Sequence, residues 1–174
     1  MSPSDPVNTT SAVSLDKSAL LNALRDRIAA ALDDLEHSQR AAQAGATHEE
    51  TRAEGPKDMR STEASYLARG LASRVAELTE AASRLASTSP RHYGEGARAG
   101  LTALIGLEDE EGETSVVFLV PAGAGETLHE GKIAVRTVTP GSPIGRAVMG
   151  CTSGDAIEVD LPAGRQRFTV DWVH

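Results

Sequence analysis

Residues 67–85 read LARGLASRVAELTEAASRL, and their apolar members Leu67, Leu71, Val75, Leu78, Ala82 and Leu85 recur at steps of three and four. That spacing follows the turn of an α-helix and leaves one narrow apolar seam, the heptad pattern of a helix with a single partner. The partner lies upstream. Leu21, Leu24, Ile28, Ala31 and Leu35 repeat the same steps, with no glycine between Asp16 and Gln43. Between the two segments, Gly45 to Pro56 holds two glycines and a proline, and the chain is expected to turn there. In an antiparallel hairpin, facing residues keep a nearly constant sum of residue numbers. Leu35 with Leu67, Ala31 with Leu71 and Leu24 with Leu78 each give 102; Ile28 with Val75 and Leu21 with Ala82 give 103. The hairpin then centres on Thr51. Arms of roughly 30 residues at about 1.5 Å each make a finger about 45 Å long. The remaining faces carry Arg25, Asp26, Asp33, Glu36 and Arg40 on one helix and Arg69, Arg74, Glu77 and Arg84 on the other. Such faces belong in water, which argues against a globular helix bundle.

The chain changes character at Ser87-Thr88-Ser89-Pro90. Beyond it glycine, valine and threonine dominate and the apolar spacing shortens. Ile157 to Leu161 and Phe168 to Trp172 alternate apolar with polar residues around a turn at Pro162-Ala163-Gly164-Arg165, which predicts a hairpin with one buried face. Thr114–Val120, Ile133–Val138 and Leu101–Leu107 are further expected strands, and Ile144–Met149 a short helix. The fold class is α+β. A disordered tail at 1–13 precedes an antiparallel coiled-coil hairpin at 14–88 with its tip at 45–57, and residues 91–174 form an antiparallel β domain with a short helix.

The bulk numbers narrow the function. With 174 residues and a net charge of −8, the chain is ill suited to gripping nucleic-acid phosphates, and sequence-specific nucleic-acid binding is not expected. Aromatic residues at 3% are too few to stack bases. Cys151, the single cysteine, forms no internal disulfide, makes no zinc site alone, and reads as a small packed side chain. Met1 to Val13 has neither a basic start nor an apolar run, and no segment approaches the roughly 20 apolar residues of a membrane span. A cytoplasmic monomer without a membrane association is expected.

One segment is more specific. Val138-Thr139-Pro140-Gly141-Ser142-Pro143-Ile144-Gly145-Arg146-Ala147-Val148-Met149-Gly150 resembles the C-terminal signature of the Gre family of bacterial transcription elongation factors. In that signature a strand runs into Ser-Pro-(Ile/Leu)-(Ala/Gly), a short helix and a glycine. Gly154-Asp155, Pro162-Ala163-Gly164 and Phe168 to Val173 then follow in the family's order. The resemblance implies an FKBP-like C-terminal domain docking at the rim of the RNA polymerase secondary channel through Ser142, Pro143, Ile144 and Arg146. It further implies a coiled coil inserted down that channel, with acidic tip residues helping to hold a second Mg²⁺ that activates water to cleave backtracked RNA. Two metal ions clamp the attacking and leaving oxygens of such a hydrolysis, and carboxylates are the ligands Mg²⁺ prefers. The tip acids here are Glu49, Glu50, Glu54 and Asp58, with Glu63 further along. The family tip reads close to Gly-Asp-Leu-Lys-Glu-Asn-Ala-Glu-Tyr. This chain instead has Lys57-Asp58-Met59-Arg60-Ser61-Thr62-Glu63-Ala64-Ser65 before Tyr66, so the Asp-x-x-Glu spacing is missing.

Other motifs are absent. His48 beside Glu49 and Glu50 lacks a second histidine at ligand spacing, no Gly-x-Ser-x-Gly elbow marks a nucleophile, and no P-loop occurs. The acidic run Glu108–Glu113 reads as a solvated turn. An FKBP-like fold raises prolyl isomerisation, but Tyr93, Phe118, Phe168 and Trp172 fall mostly at core strand positions and line no pocket. Three expectations follow. The first is a polymerase-binding factor, not itself an enzyme and with no cofactor or metal of its own, that stimulates cleavage of backtracked RNA. The second is a secondary-channel regulator or inhibitor without cleavage stimulation. The third is a coiled-coil adaptor unrelated to polymerase, which capture of another partner from bacterial lysate would favour.

Overall fold

The computed structural model describes residues 15–50 and 58–174, with the side chains of residues 42–50 and 58–65 outside that description. The expected tail at 1–13 and Glu54 also lie outside the described residues. The elements are α1 (Lys17–Glu50), α2 (Asp58–Ala86), β1 (Leu104–Asp109), β2 (Thr114–Leu119), β3 (Thr127–Glu130), β4 (Ile133–Val138), α3 (Pro143–Val148), β5 (Ala156–Leu161) and β6 (Gly164–Val173).

The six strands form one sheet in the order β3-β4-β2-β1-β6-β5. Its pairs are antiparallel with one exception, β2 beside β4, where Val116 faces Val135 and Leu119 faces Val138 in parallel register. The all-antiparallel expectation is corrected at this pair. The cause is β3, a four-residue strand too short to show alternation in sequence. It takes the edge and turns back through Gly131, so β4 enters the sheet running with β2. The strand expected at Leu101–Leu107 also starts later. Thr102, buried and at φ 71°, forms a turn in which its N–H donates to the Leu119 carbonyl at 2.6 Å.

The sheet is covered on both faces, which explains the near-continuous apolar runs of its central strands. Leu104, Phe118, Val120, Leu128 and Val135 face one cluster together with Leu20, Leu21, Leu24, Ile28, Leu78 and Leu85 of the two long helices. Ile105, Leu107, Val117, Leu119, Val138, Ile157, Val159 and Val170 face the other, which α3 closes with Val148. Alternation along β1 and β2 sends neighbours to opposite clusters, so Ile105 and Leu107 share a side; where β1 meets β6, a bulge leaves Asp171 as the extra residue and sends Val170 and Trp172 to opposite clusters. The Trp172 ring lies across β1 at Gly106, where a Cβ would come within 2.3 Å of its Nε1.

The helices pack together at their base. Helix α1 continues through Gly45 to Glu50, so the tip begins later than residue 45. Arg25 reaches the carbonyls of Leu85 and Thr88 at the end of α2. Leu67, expected opposite Leu35, is 61% exposed, and Ala31 is exposed while Leu32 packs on the cluster.

Candidate functional site

The segment singled out in the sequence forms a tight strand-to-helix corner. Pro140 and Pro143 fix their own φ and push the residues before them out of helical conformation. Ser142 is the N-cap of α3, extended at φ −76° and ψ 156°, and Pro143 takes the first helical turn, where its missing N–H is harmless. The Ser142 hydroxyl is fully used. It donates to the Thr139 carbonyl at 2.8 Å and accepts from the Gly145 N–H at 3.1 Å. Gly145 packs so closely that a Cβ would lie 1.9 Å from the Thr139 oxygen. Where the resemblance admits alanine or glycine, this corner is therefore shaped around glycine.

Of the four docking residues expected from the sequence, Pro143 and Arg146 are exposed, whereas Ser142 and Ile144 are half-buried. Ile144 packs against the cluster under α3. Arg146 donates through its guanidinium to the Gly141 carbonyl, which holds the charge beside the corner. Met149, not named from the sequence, is 40% exposed and continues the Pro143 and Arg146 spacing of three. Together they form the outward ridge of α3, and that i, i+3, i+6 spacing was the available signal. Leu101, 38% exposed, lies near it, because Ala99 pairs through its backbone with Gly150 and Cys151 at 2.8 Å. Arg98 adds a donor to the Gly150 carbonyl at 3.1 Å.

The loop after α3 is held by Asp155, whose carboxylate accepts from the Thr152 N–H at 2.7 Å and its hydroxyl at 3.1 Å. The Thr152 backbone bond first, and its hydroxyl second, hold the Asp155 carboxyl below its ordinary value. A depressed carboxylate stabilises the fold at pH values above its unfolded value, and that contribution fades as pH falls through the folded value. NMR titration is therefore expected to place Asp155 below a free aspartate, and Asp155→Asn to flatten the acid limb of the stability profile. Titration at the ordinary aspartate value contradicts this account. Burial, and then the Asp155 charge, push the Cys151 thiol up, so it is poorly suited to act as a nucleophile.

The finger meets the sheet through directional contacts as well as the shared core. Asp16 caps α1, accepting from the N–H groups of Ser18 and Ala19 at 2.8 and 3.1 Å. Its own N–H donates to the Glu130 carboxylate on β3 at 2.8 Å. Arg27 pairs with Glu126 at 3.0 Å. Lys17 donates to the Arg91 carbonyl at 2.6 Å and lies 4.9 Å from the centre of the Tyr93 ring. Arg25, expected among the solvated charges, is instead half-buried against the end of α2.

At the far end, Glu49 and Glu50 are the last residues of α1 and Asp58 is the first of α2, with Glu54 between them in sequence and outside the described residues. Their side chains lie outside the described residues. Among the described residues, no group of three or more His, Cys, Asp or Glu side chains could hold a metal ion. No helix of the described residues is long and apolar enough to cross a membrane.

Residues 97–174 match the family model described as the C-terminal part of the transcription elongation factor GreA/GreB. The Neorickettsia sennetsu transcription elongation factor GreA is 32% identical over 75 residues, 43% of this chain and 44% of that protein. The Polaromonas naphthalenivorans GreA is 32% identical over 97 residues, 56% of this chain and 58% of that protein. The chain thus spans about half the length of the curated relatives it matches. Among solved structures, Thermus aquaticus Gfh1 aligns over 86% of this chain and 92% of its own, at 24% identity and a TM-score of 0.38. The prokaryotic GreA/GreB factor of Nitrosomonas europaea covers 55% of this chain and 78% of its own, at 19% identity and a TM-score of 0.35. Residues 97–174, which carry the α3 corner and the strands around it, are similar to the C-terminal part of the GreA/GreB family.

Proposed function

We propose that this chain is an elongation factor that binds RNA polymerase, docks at the rim of the secondary channel through the α3 ridge, and extends its two helices into the channel as a coiled-coil finger. The observation that carries this reading is the family match over residues 97–174, which contains the α3 corner with Pro143 and Arg146 outward. Two helices of 34 and 29 residues leave the same body. At 1.5 Å per residue they reach roughly 45–50 Å, a length suited to a deep channel.

In this reading the chain is not an enzyme by itself. A stretch with Glu49, Glu50, Glu54 and Asp58 at the end of a long arm supplies hard oxygen ligands, and Mg²⁺ held by polymerase supplies the Lewis acid for phosphodiester hydrolysis. The chain's own part is to carry those carboxylates to the metal. A second reading keeps the docking without the cleavage, and the missing Asp-x-x-Glu spacing before Tyr66 favours it.

Cleavage of backtracked transcripts by stalled polymerase separates the two. The first reading predicts a faster cleavage rate with saturating protein, lost when Glu49, Glu50, Glu54 and Asp58 are all replaced by alanine. The second predicts slower cleavage by an added GreA protein, undiminished by the same four substitutions. No effect on either rate rejects both.

A further inference from the structure

We propose that Arg25 is a positioning residue for the finger: its guanidinium fixes how α1 and α2 leave the sheet, and so where the distant tip arrives. This rests on the finger reading given above. Arg25 spends its donors at the base of the hairpin. Its Nε and one Nη donate to the Leu85 carbonyl at 3.1 and 2.9 Å, and the same Nη donates to the Thr88 carbonyl at 2.6 Å. The other Nη donates to the Asn22 side chain at 2.9 Å. Leu85 and Thr88 lie at and just beyond the end of α2, where the helix dipole is negative; the Leu85 carbonyl also accepts from the Thr88 N–H at 3.1 Å, and Arg25 adds its donors there.

The apolar cluster beneath this clamp already holds the helices together, since Leu24 and Leu85 are fully buried beside it. Apolar contact is non-directional and resists sliding or rotation only weakly. A planar guanidinium bound to two carbonyls three residues apart adds the missing direction. Among the described residues, Arg25 is the one side chain that hydrogen-bonds α1 to α2. Helix α1 is itself tied to the sheet by Glu130 on the Asp16 N–H and by Arg27 on Glu126. Arg25 therefore links α2 to a helix whose place is set.

Leverage makes this matter. Helix α1 has 34 residues, so a pivot of about 5° at its base moves its far end by roughly 4 Å. Groups that act on a reacting centre need placement to about 0.5 Å, and a misplacement of about 1 Å can cost on the order of a hundredfold in rate.

The test uses the full chain with Arg25→Gln and Arg25→Lys. Spin labels at Ser38→Cys and Asp171→Cys, in a Cys151→Ser background, report the distance between finger and sheet. Arg25→Gln is expected to at least double the width of that distance distribution, with Arg25→Lys between it and the parent. The concentration of protein that half-saturates polymerase should stay within about twofold, because the α3 ridge is untouched, while the maximal effect on cleavage falls by roughly tenfold or more. A distribution of unchanged width, or an unchanged maximal effect, overturns the proposal. If Arg25→Gln does not fold, Arg25→Lys carries the same comparison. A parent protein that leaves cleavage unaltered in either direction rejects the finger's action on cleavage, and the distance distribution still decides the role of Arg25.

Discussion

Replacing Leu85 by alanine lowers the stability of the whole chain by about 2–5 kcal/mol, and the finger and sheet lose it together. Leu85 is fully buried, in one cluster with Leu21, Leu24 and Ile28 of α1 and with Leu104, Phe118 and Val120 of the sheet. Truncation removes the transfer free energy of the lost carbons and leaves a cavity between three elements that cannot all close on it. Because that cluster is shared, the base of the finger and the sheet should unfold in one transition. Two probes read it independently: far-UV circular dichroism is dominated by the long helices, and Trp172, the only tryptophan, packs against the same cluster from β6. Urea curves from both probes are expected to coincide in the parent and to shift by the same amount in Leu85→Ala. A helix signal that falls early while the Trp172 transition stays in place contradicts the shared core.

Under the proposed docking, the double substitution Ser142→Ala with Pro143→Ala is expected to weaken binding to polymerase by roughly ten- to a hundredfold, corresponding to about 1–3 kcal/mol at an interface core. Ser142 shapes the corner through its bonds to Thr139 and Gly145, and Pro143 presents its ring outward at the start of the ridge. Removing both loosens the corner and strips one contact from its surface. The shared cluster at the finger base lies on the opposite face of the sheet and should keep the helices folded. Circular dichroism alongside a binding isotherm checks both halves of the statement. A folded double variant that binds as tightly as the parent shows that the corner only joins β4 to α3.

Much of this architecture was legible because each element obeys one local rule. The heptad steps from Leu67 to Leu85, the alternation from Ile157 to Leu161, and the Ser142-Pro143 cap each specify their own geometry without reference to the rest of the chain. What escaped reading depends on contacts between elements. The clamp of Arg25 on the end of α2 joins residues 60 apart in the chain, which no local period encodes. Strand β3 has four residues and a single buried one, Leu128, too little for a periodic signal, and with it went the parallel pairing of β2 and β4. Arg25 reads as a surface charge because its partners are backbone carbonyls, which leave no trace in a sequence. The α3 ridge was half visible: Pro143 and Arg146 were named, whereas Met149 fell outside because a methionine before a glycine reads as the end of a buried helix.

The central proposal is that this chain binds RNA polymerase at the site proposed above, in competition with GreA. The direct measurement is fluorescence anisotropy of the labelled full chain titrated with core polymerase, followed by competition with unlabelled GreA. The account predicts saturable binding with one chain per polymerase and full displacement by GreA. Absence of binding at tens of micromolar polymerase, or binding that GreA leaves untouched, contradicts it.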